Sequence, residues 1–248
     1  MLVSTRHYLN RRRMLRLLDE LETADEAAIS VHLPQNLSVS EIEQTFSVVP
    51  AAGQILPVVA GEITRSTTGA VLFWGEQHKY LVLPPFPVAE SLISQSYEVG
   101  LLRSLLQQDL IIALVLVRLG AYAVGVFQGE KLLSSKVGTG LIHSRHKKGG
   151  TSQHRFQRHR EKQMEIFFDR VCVHARERFE PYLQQLDYVC YGGEHTTIGA
   201  FRKRCQFLQK LEACTLKALL NIPEPRQATL EIAISKAWSS QVVQWYET

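Results

Sequence analysis

Three short strand-like segments separated by tight turns lie between residues 110 and 136, and they restrict the fold more than any other feature of the sequence. Leu110–Val117 is continuous and rich in β-branched residues, Ala121–Phe127 follows a turn containing Gly120, and Lys131–Lys136 follows a turn containing Gly129. Strands joined so closely pair antiparallel, because a parallel pair needs a crossover of about a dozen residues or more. This part of the chain is therefore predicted to be an antiparallel meander.

A long helix is predicted after an intervening polar segment, from Gln153 to about Glu180, where Pro181 stops it. Thr151 and Ser152 are candidate N-caps. At 1.5 Å per residue the helix is about 40 Å long, so its arginine-rich first turns are expected to project past the sheet. Its apolar side chains recur at steps of mostly three and four, as a core-facing helix requires: Met164, Phe167, Phe168, Val171, Ala175 and Phe179.

The rest of the second half alternates between strand and helix patterns. Leu186–Tyr191 has a strand pattern, Thr197–Leu220 is mostly helical, and Thr229–Ile234 has the alternation of a last strand. Strands followed by this alternation predict a mixed sheet flanked by helices. Residues 106–248 are therefore predicted to form one domain.

The first third has the pattern of a smaller α+β domain, residues 1–105. A helix is predicted from Tyr8 to Leu21, and a second from Ser38 to Phe46, because Ser38 and Glu41 have the spacing of a capping box. Two apolar runs, Ala70–Trp74 and Lys79–Leu83, are separated by four residues and predict a hairpin. The fold class of the whole chain is thus α+β / α/β in two domains.

Positive charge is concentrated in residues 143–162. Seven lysines and arginines against one acid, Glu161, leave a net +6 there, whereas the whole chain carries +4. Such density is the electrostatic signature of a phosphate-backbone partner. The alternative is a solvated charged loop, but that does not explain the glycine pair inside it. The basic residues are Arg145, Lys147, Lys148, Arg155, Arg158, Arg160 and Lys162.

A short motif, Gly-Gly-Thr-Ser-Gln, sits inside this basic segment. Gly149 and Gly150 allow the backbone to adopt positive φ and to approach a ligand closely. Gln153 carries a neutral amide that donates and accepts hydrogen bonds, so it can orient a water and donate to a developing oxyanion. It is not a strong acid or base. This chemistry suits the hydrolysis of an ester that another molecule has already activated and positioned.

The motif, followed by His154–Arg158, resembles the bacterial branch of the Vms-like release-factor family, which acts in ribosome-associated quality control. It is also similar to the Gly-Gly-Gln loop of eukaryotic and archaeal class-1 peptide release factors. The resemblance covers about Asp109 to Ile198, and the N-terminal third only through Leu83–Pro87. It implies a ribonuclease-H-like C-terminal domain, similar to domain 2 of those release factors. This chain has two residues between the glycine pair and the glutamine, where the relatives have one or none.

The resemblance implies a peptidyl-tRNA hydrolase that frees nascent chains from stalled large subunits. Its partners are the large ribosomal subunit and peptidyl-tRNA, in the cytoplasm and without a cofactor. The bond cut is the ester or, as in eukaryotic relatives, a bond within the tRNA 3′ end. The implied catalytic residues are Gln153, Ser152, Gly149 and Gly150, and the implied RNA-binding residues are Arg145, His146, Lys147, Lys148, Arg155 and Arg158. The alternative is a non-catalytic tRNA- or rRNA-binding ribosome-rescue module.

Metal and nucleotide chemistry receive no support from the sequence. A two-metal nuclease needs several converging carboxylates, and Leu110–Val117 contains none. There is no phosphate-binding loop and no dinucleotide fingerprint. The four cysteines lack zinc spacing and are predicted to be buried free thiols of a reducing cytoplasm: Cys172, Cys190, Cys205 and Cys214.

Membrane insertion is not predicted either. No apolar run reaches the roughly 18 residues that a spanning helix needs. The N-terminal segment interleaves arginines with apolar residues and has no cleavable apolar core, so it is interpreted as a basic amphipathic helix and not as a secretory signal.

Overall fold

The computed structural model describes residues 2–50, 52–142 and 151–247, and the chain forms two compact units. The first unit is Met1–Gln108 with Ala237–Thr248, and the second is Asp109–Lys236. The sequence predicts a single boundary near residue 105, with the C-terminus in the second domain. The structure instead returns the C-terminal strand to the first unit, because that strand pairs with the N-terminal one.

The described residues form ten strands, eight α-helices and two 3-10 turns. They are β1 (Leu2–Leu9), α1 (Arg11–Thr23), β2 (Ala28–Leu33), α2 (Val39–Phe46), α3 (Ala52–Arg65), β3 (Ala70–Gly75), β4 (Lys79–Leu83), β5 (Leu92–Ser94), α4 (Gly100–Gln107), β6 (Ile111–Arg118), β7 (Ala121–Gln128), β8 (Lys131–Thr139), α5 (Thr151–Phe179), β9 (Leu186–Gly193), α6 (His195–Arg204), α7 (Gln206–Gln209), α8 (Gln227–Ala237) and β10 (Ser240–Glu247), with 3-10 turns at Glu180–Tyr182 and Glu212–Cys214.

The first unit is a six-stranded sheet in the order β1-β10-β4-β3-β2-β5, and every neighbouring pair is antiparallel. Its alternate side chains serve two cores. Leu72 and Trp74 pack with α2 and α3, whereas Val71 and Phe73 pack with α1 and α4. The predicted hairpin of β3 and β4 is confirmed, and so is the capping box of α2, in which Ser38 and Glu41 each accept the other's backbone N–H.

One prediction near the N-terminus is confirmed with a shifted start, and one near the C-terminus is wrong. The predicted helix Tyr8–Leu21 is α1, Arg11–Thr23, which begins later because residues 2–9 form a strand that pairs with β10. The side chain of its N-cap, Asn10, accepts from the Arg13 N–H at 3.0 Å. The predicted strand Thr229–Ile234 belongs to α8. Its buried residues recur at the three- and four-residue steps of a helix: Leu230, Ala233, Ile234 and Ala237.

The second unit confirms the meander and the mixed sheet flanked by helices. Strands β6, β7 and β8 pair antiparallel, and β9 joins the other edge of β6 in parallel, so the order is β8-β7-β6-β9. The predicted helix Thr197–Leu220 is interrupted at Cys205. Its last part instead runs parallel to β9 through the isolated bridges Val189–Thr215 and Gly192–Leu220.

Two of the four cysteines form a disulfide, which corrects the prediction of four free thiols. Cys172 lies on α5 and Cys205 ends α6, and their Cα atoms are 5.5 Å apart. The pairing has no sequence signature, because the two residues are 33 positions apart and meet only where the helices pack. Cys190 and Cys214 are free. Within the described ranges, no helix combines the length and hydropathy needed to cross a bilayer.

Candidate functional site

The structure places the predicted site residues at the start of α5, as far as it describes them. Arg145, His146, Lys147, Lys148, Gly149 and Gly150 lie outside the described residues. Ser152 and Gln153 are the second and third residues of α5. Thr151 and Ser152 were predicted to cap this helix, but the structure includes both in it. Arg155 and Arg158 are exposed on the following turn.

The end of β8, where the chain leaves the sheet toward this segment, is tightly packed. A Cβ at Gly138 would lie 2.6 Å from a ring carbon of Tyr122, and a Cβ at Gly140 would lie 2.5 Å from the Phe167 ring. Arg170 Nη1 donates to the Thr139 carbonyl at 3.2 Å. Two glycines therefore let β8 end directly against the core.

Replacing Gly138 by alanine is expected to lower the free energy of unfolding by about 1–3 kcal/mol. The Tyr122 ring is 1% exposed, so it has little room to move aside. The measurement is urea-induced unfolding followed by circular dichroism. The matched control is Gly199→Ala on α6, where an added Cβ meets no atom within 4 Å and helix propensity favours alanine by up to about 1 kcal/mol. Equal urea midpoints of unfolding for the two variants would show that the end of β8 is loosely packed.

The C-terminal part of α5 is built into the core of the second unit, and its N-terminal part precedes that core. Among the described side chains, the first of α5 to pack against the core is Met164. The thirteen helical residues 151–163 come before it and span about 20 Å. Five side chains then anchor the helix, namely Phe167, Phe168, Val171, Ala175 and Phe179.

Charged contacts and the disulfide hold α5 against α6. Arg204 Nε donates to Asp169 Oδ1 at 2.6 Å, and Arg204 Nη2 donates to Asp169 Oδ2 at 2.8 Å. The hydrogen bonds from Arg204 hold the pKa of Asp169 below its usual value. The Cys172–Cys205 bond lies less than one turn farther along α5. The segment that carries Gln153 therefore extends from a firmly attached helix.

The described first turns of α5 are cationic and exposed. Residues 155–162 contain four basic residues and one acid, and Arg155, Arg158 and Lys162 are exposed. Phe156 lies among them and is 58% exposed. Cations interleaved with an accessible aromatic ring suit a single-stranded nucleic acid, whose phosphates bind the cations and whose bases stack on the ring. Phe156 is not among the site residues predicted from the sequence, although its position between Arg155 and Arg158 could have indicated it.

No metal centre competes with this interpretation in the described part of the chain. Within residues 2–50, 52–142 and 151–247, no group of three or more histidine, cysteine, aspartate or glutamate side chains is placed to hold a metal ion. What the described part of α5 offers chemically is a set of exposed cations on the turns that follow Ser152 and Gln153.

The chain is similar to known proteins in a family model, in a curated sequence and in solved structures. The family model described as "Actinobacteria/chloroflexi VLRF1 release factor" matches residues 111–243. The "Peptide chain release factor subunit 1" of Picrophilus torridus is 22% identical over 257 aligned positions, which cover 92% of this chain. The chain spans only 62% of the length of that relative.

Two solved structures are similar at a low level. The archaeal translation termination factor aRF1 has a TM-score of 0.43 and 18% identity, over 92% of this chain and 70% of its own. The Vms1 mitochondrial localization core has a TM-score of 0.44 and 12% identity, over 78% of this chain and 80% of its own.

The family match confirms the resemblance inferred from the Gly-Gly-Thr-Ser-Gln motif. It covers more than half of the chain and includes the meander, the basic segment and α5. The chain therefore belongs to the Actinobacteria/chloroflexi VLRF1 release factor family.

Proposed function

We propose that this protein frees nascent chains from stalled large ribosomal subunits in the cytoplasm by hydrolysing peptidyl-tRNA, with Gln153 acting at the tRNA 3′ end. Membership in a release-factor family supports a role in translation. The observation that carries the finer proposal is the position of Gln153, which is in the first turn of a helix whose next turn exposes Arg155 and Arg158.

The start of a helix suits a phosphate-bearing substrate. The first four backbone N–H groups of a helix have no partner within it, and the helix dipole favours a negative charge nearby. In the proposal these groups and the basic residues hold the phosphates of the acceptor end: Arg145, His146, Lys147, Lys148, Arg155 and Arg158. Gly149 and Gly150 keep the backbone free of side chains next to the 3′ adenosine, and Ser152 lies beside the reacting groups.

The proposed reaction is attack by water on the carbonyl carbon of the peptidyl ester. The new bond joins the water oxygen to that carbon, and the bond to the ribose oxygen breaks. The peptide leaves with a carboxyl group, and the ribose oxygen takes up the proton. The Gln153 amide orients the water and donates to the developing oxyanion, while the ribosomal RNA holds the ester in place. Catalysis by the isolated protein should therefore be weak.

A non-catalytic module that binds tRNA or ribosomal RNA is the second candidate. The observation in its favour is the spacing of the motif, because Thr151 and Ser152 both stand between the glycine pair and Gln153. In that case the same cations would bind RNA without any bond being cut.

The product of the reaction separates these candidates. Purified protein is incubated with large subunits that carry a stalled, labelled peptidyl-tRNA, and both RNA and peptide are resolved. Ester hydrolysis is expected to give free peptide and full-length tRNA. A tRNA shortened at its 3′ end would show that the bond cut is a phosphodiester of the tRNA and not the ester. Intact peptidyl-tRNA with the protein bound would contradict the enzymatic proposal and favour the binding module.

A further inference from the structure

A second basic surface lies in the first unit, at the beginning of α1. Four arginines occur there within six residues: Arg11, Arg12, Arg13 and Arg16. In the structure, one of these arginines makes contacts that stabilise the fold, and the other three do not.

Arg11 has a structural role. Its guanidinium carbon lies 4.0 Å from the centroid of a Trp238 ring, in cation–π contact. Its Nε donates to the Leu106 carbonyl at 2.6 Å, and its Nη2 donates to the Gln108 carbonyl at 3.1 Å. Packing within the first unit therefore accounts for this arginine.

The other three arginines, Arg12, Arg13 and Arg16, have no such contacts. All three side chains are exposed, and within the described parts of the chain their guanidinium groups take part in no hydrogen bond or ion pair. Arg6 and Arg103 of the same unit are paired, whereas Arg65 is exposed like the three. Arg6 contacts Glu62 at 2.6 Å, and Arg103 contacts Asp19 at 2.6 Å.

Their position on the helix also opposes stability. The first turn of α1 contains no acidic residue. Positive charge at a helix N-terminus is unfavourable, because the helix dipole is positive at that end. Arg12 and Arg16 are four positions apart, and like charges at this spacing repel. The charges of Arg12 and Arg13 are therefore not explained by the stability of α1, whereas Arg16 lies beyond its first turn.

The charge of the rest of the unit makes the cluster distinct. Residues 1–108 and 237–248 contain eight lysines and arginines against twelve aspartates and glutamates, a net charge of −4. Five of the eight cations lie between Arg6 and Arg16. The first unit as a whole is therefore not cationic, and its positive charge is concentrated between Arg6 and Arg16.

An exposed aromatic side chain precedes the three arginines by a few positions in the sequence. Tyr8 is 71% exposed and stands two residues before Asn10, the N-cap of α1. Accessible aromatic rings beside arginines are the usual combination for single-stranded RNA, because bases stack on the ring while the cations bind phosphates. A phosphate surface without bases would have no use for the ring.

We infer that Tyr8, Arg12, Arg13 and Arg16 form a second RNA-binding surface, which holds an unpaired stretch of ribosomal RNA. This inference rests on the proposed function, which assigns the tRNA 3′ end to the basic segment of the second unit. Ribosomal RNA is the other polyanion of the same complex. The cluster would then fix the protein on the large subunit without taking part in the reaction.

The test is equilibrium binding to purified bacterial large subunits that carry no tRNA, measured over a series of salt concentrations. Arg12, Arg13 and Arg16 are replaced together by glutamine. Affinity should fall roughly tenfold or more, and the slope of log affinity against log salt should become shallower by about 2 to 3. Tyr8→Ala should weaken binding by about fivefold or more. The melting temperature of the triple variant should stay equal or rise, because the lost charges oppose the helix dipole.

A matched control removes the same number of charges from the same unit. The variant Arg6→Gln, Arg65→Gln, Arg103→Gln should change the slope by less than about 1. Unchanged affinity and slope in the triple variant would overturn the inference. Binding to free tRNA and to phosphatidylglycerol vesicles is measured in the same way. A loss of affinity confined to either of these ligands would also overturn the inference. If the wild-type protein freed no peptide, the proposed function would fail, but the binding result on tRNA-free subunits would still decide this inference.

Discussion

Replacing Gln153 by alanine is expected to slow single-turnover release of the nascent chain by about a hundredfold or more, while affinity for the stalled subunit stays unchanged. In the proposed mechanism the amide would donate to charge that develops only in the transition state, so its loss would affect the rate and not binding. The measurement is the rate of peptide release at saturating protein, with affinity determined separately from a non-hydrolysable peptidyl-tRNA complex.

The matched control for this prediction is Gln157→Ala. Gln157 is the same residue type one helical turn later, it is exposed, and its Nε2 donates to Glu161 Oε1 at 3.0 Å. This variant should release peptide at the wild-type rate. Equal rates for wild type and Gln153→Ala would defeat the catalytic role of Gln153 and leave the RNA-binding module as the better proposal.

A test of the spacing follows from the same chemistry. Deleting Ser152 leaves one residue between the glycine pair and Gln153. The deletion turns the preceding segment by about 100° around the helix axis relative to Gln153, or shortens that segment. If the two-residue spacing is adapted to the site, this variant should release as slowly as Gln153→Ala. A faster rate would show that the one-residue spacing of relatives is also productive here.

Reducing the Cys172–Cys205 disulfide is expected to lower the free energy of unfolding of the second unit by roughly 3–4 kcal/mol. The bond closes a loop of 33 positions, and opening it restores chain entropy to the unfolded state. Urea unfolding with and without a phosphine reductant measures the effect. Hydrogen exchange of the α5 amides should increase at the same time.

The tryptophans provide an internal control for this experiment. All three, Trp74, Trp238 and Trp245, belong to the first unit, so their fluorescence reports the unfolding of that unit. The urea midpoint of the fluorescence transition should be the same with and without the reductant. Cys214→Ala should leave the response to reductant unchanged, because Cys214 is a free thiol. Four alkylatable thiols in the denatured, unreduced protein would contradict the prediction.

Local patterns in the sequence were sufficient for several elements and for the family. The meander was predictable because strand-like segments separated by only three residues have few other solutions. Helix α5 was predictable because its apolar residues recur at helical steps over a long stretch. The capping box of α2 and the motif around Gln153 involve residues only a few positions apart. Each of these signals lies within one short window of the chain.

Tertiary structure alone decided the features that depend on distant partners. Residues 2–9 form a strand because β10, more than 230 positions later, pairs with them, and this pairing also moves the C-terminus into the first unit. Cys172 meets Cys205 only because α5 and α6 pack together, and Gly138 is needed only because Tyr122 lies against it. Arg11 differs from Arg12 because one reaches Trp238 and the other faces solvent. Local spacing determines which helix or strand is favourable, whereas burial and pairing between remote segments determine which of those choices the folded chain keeps.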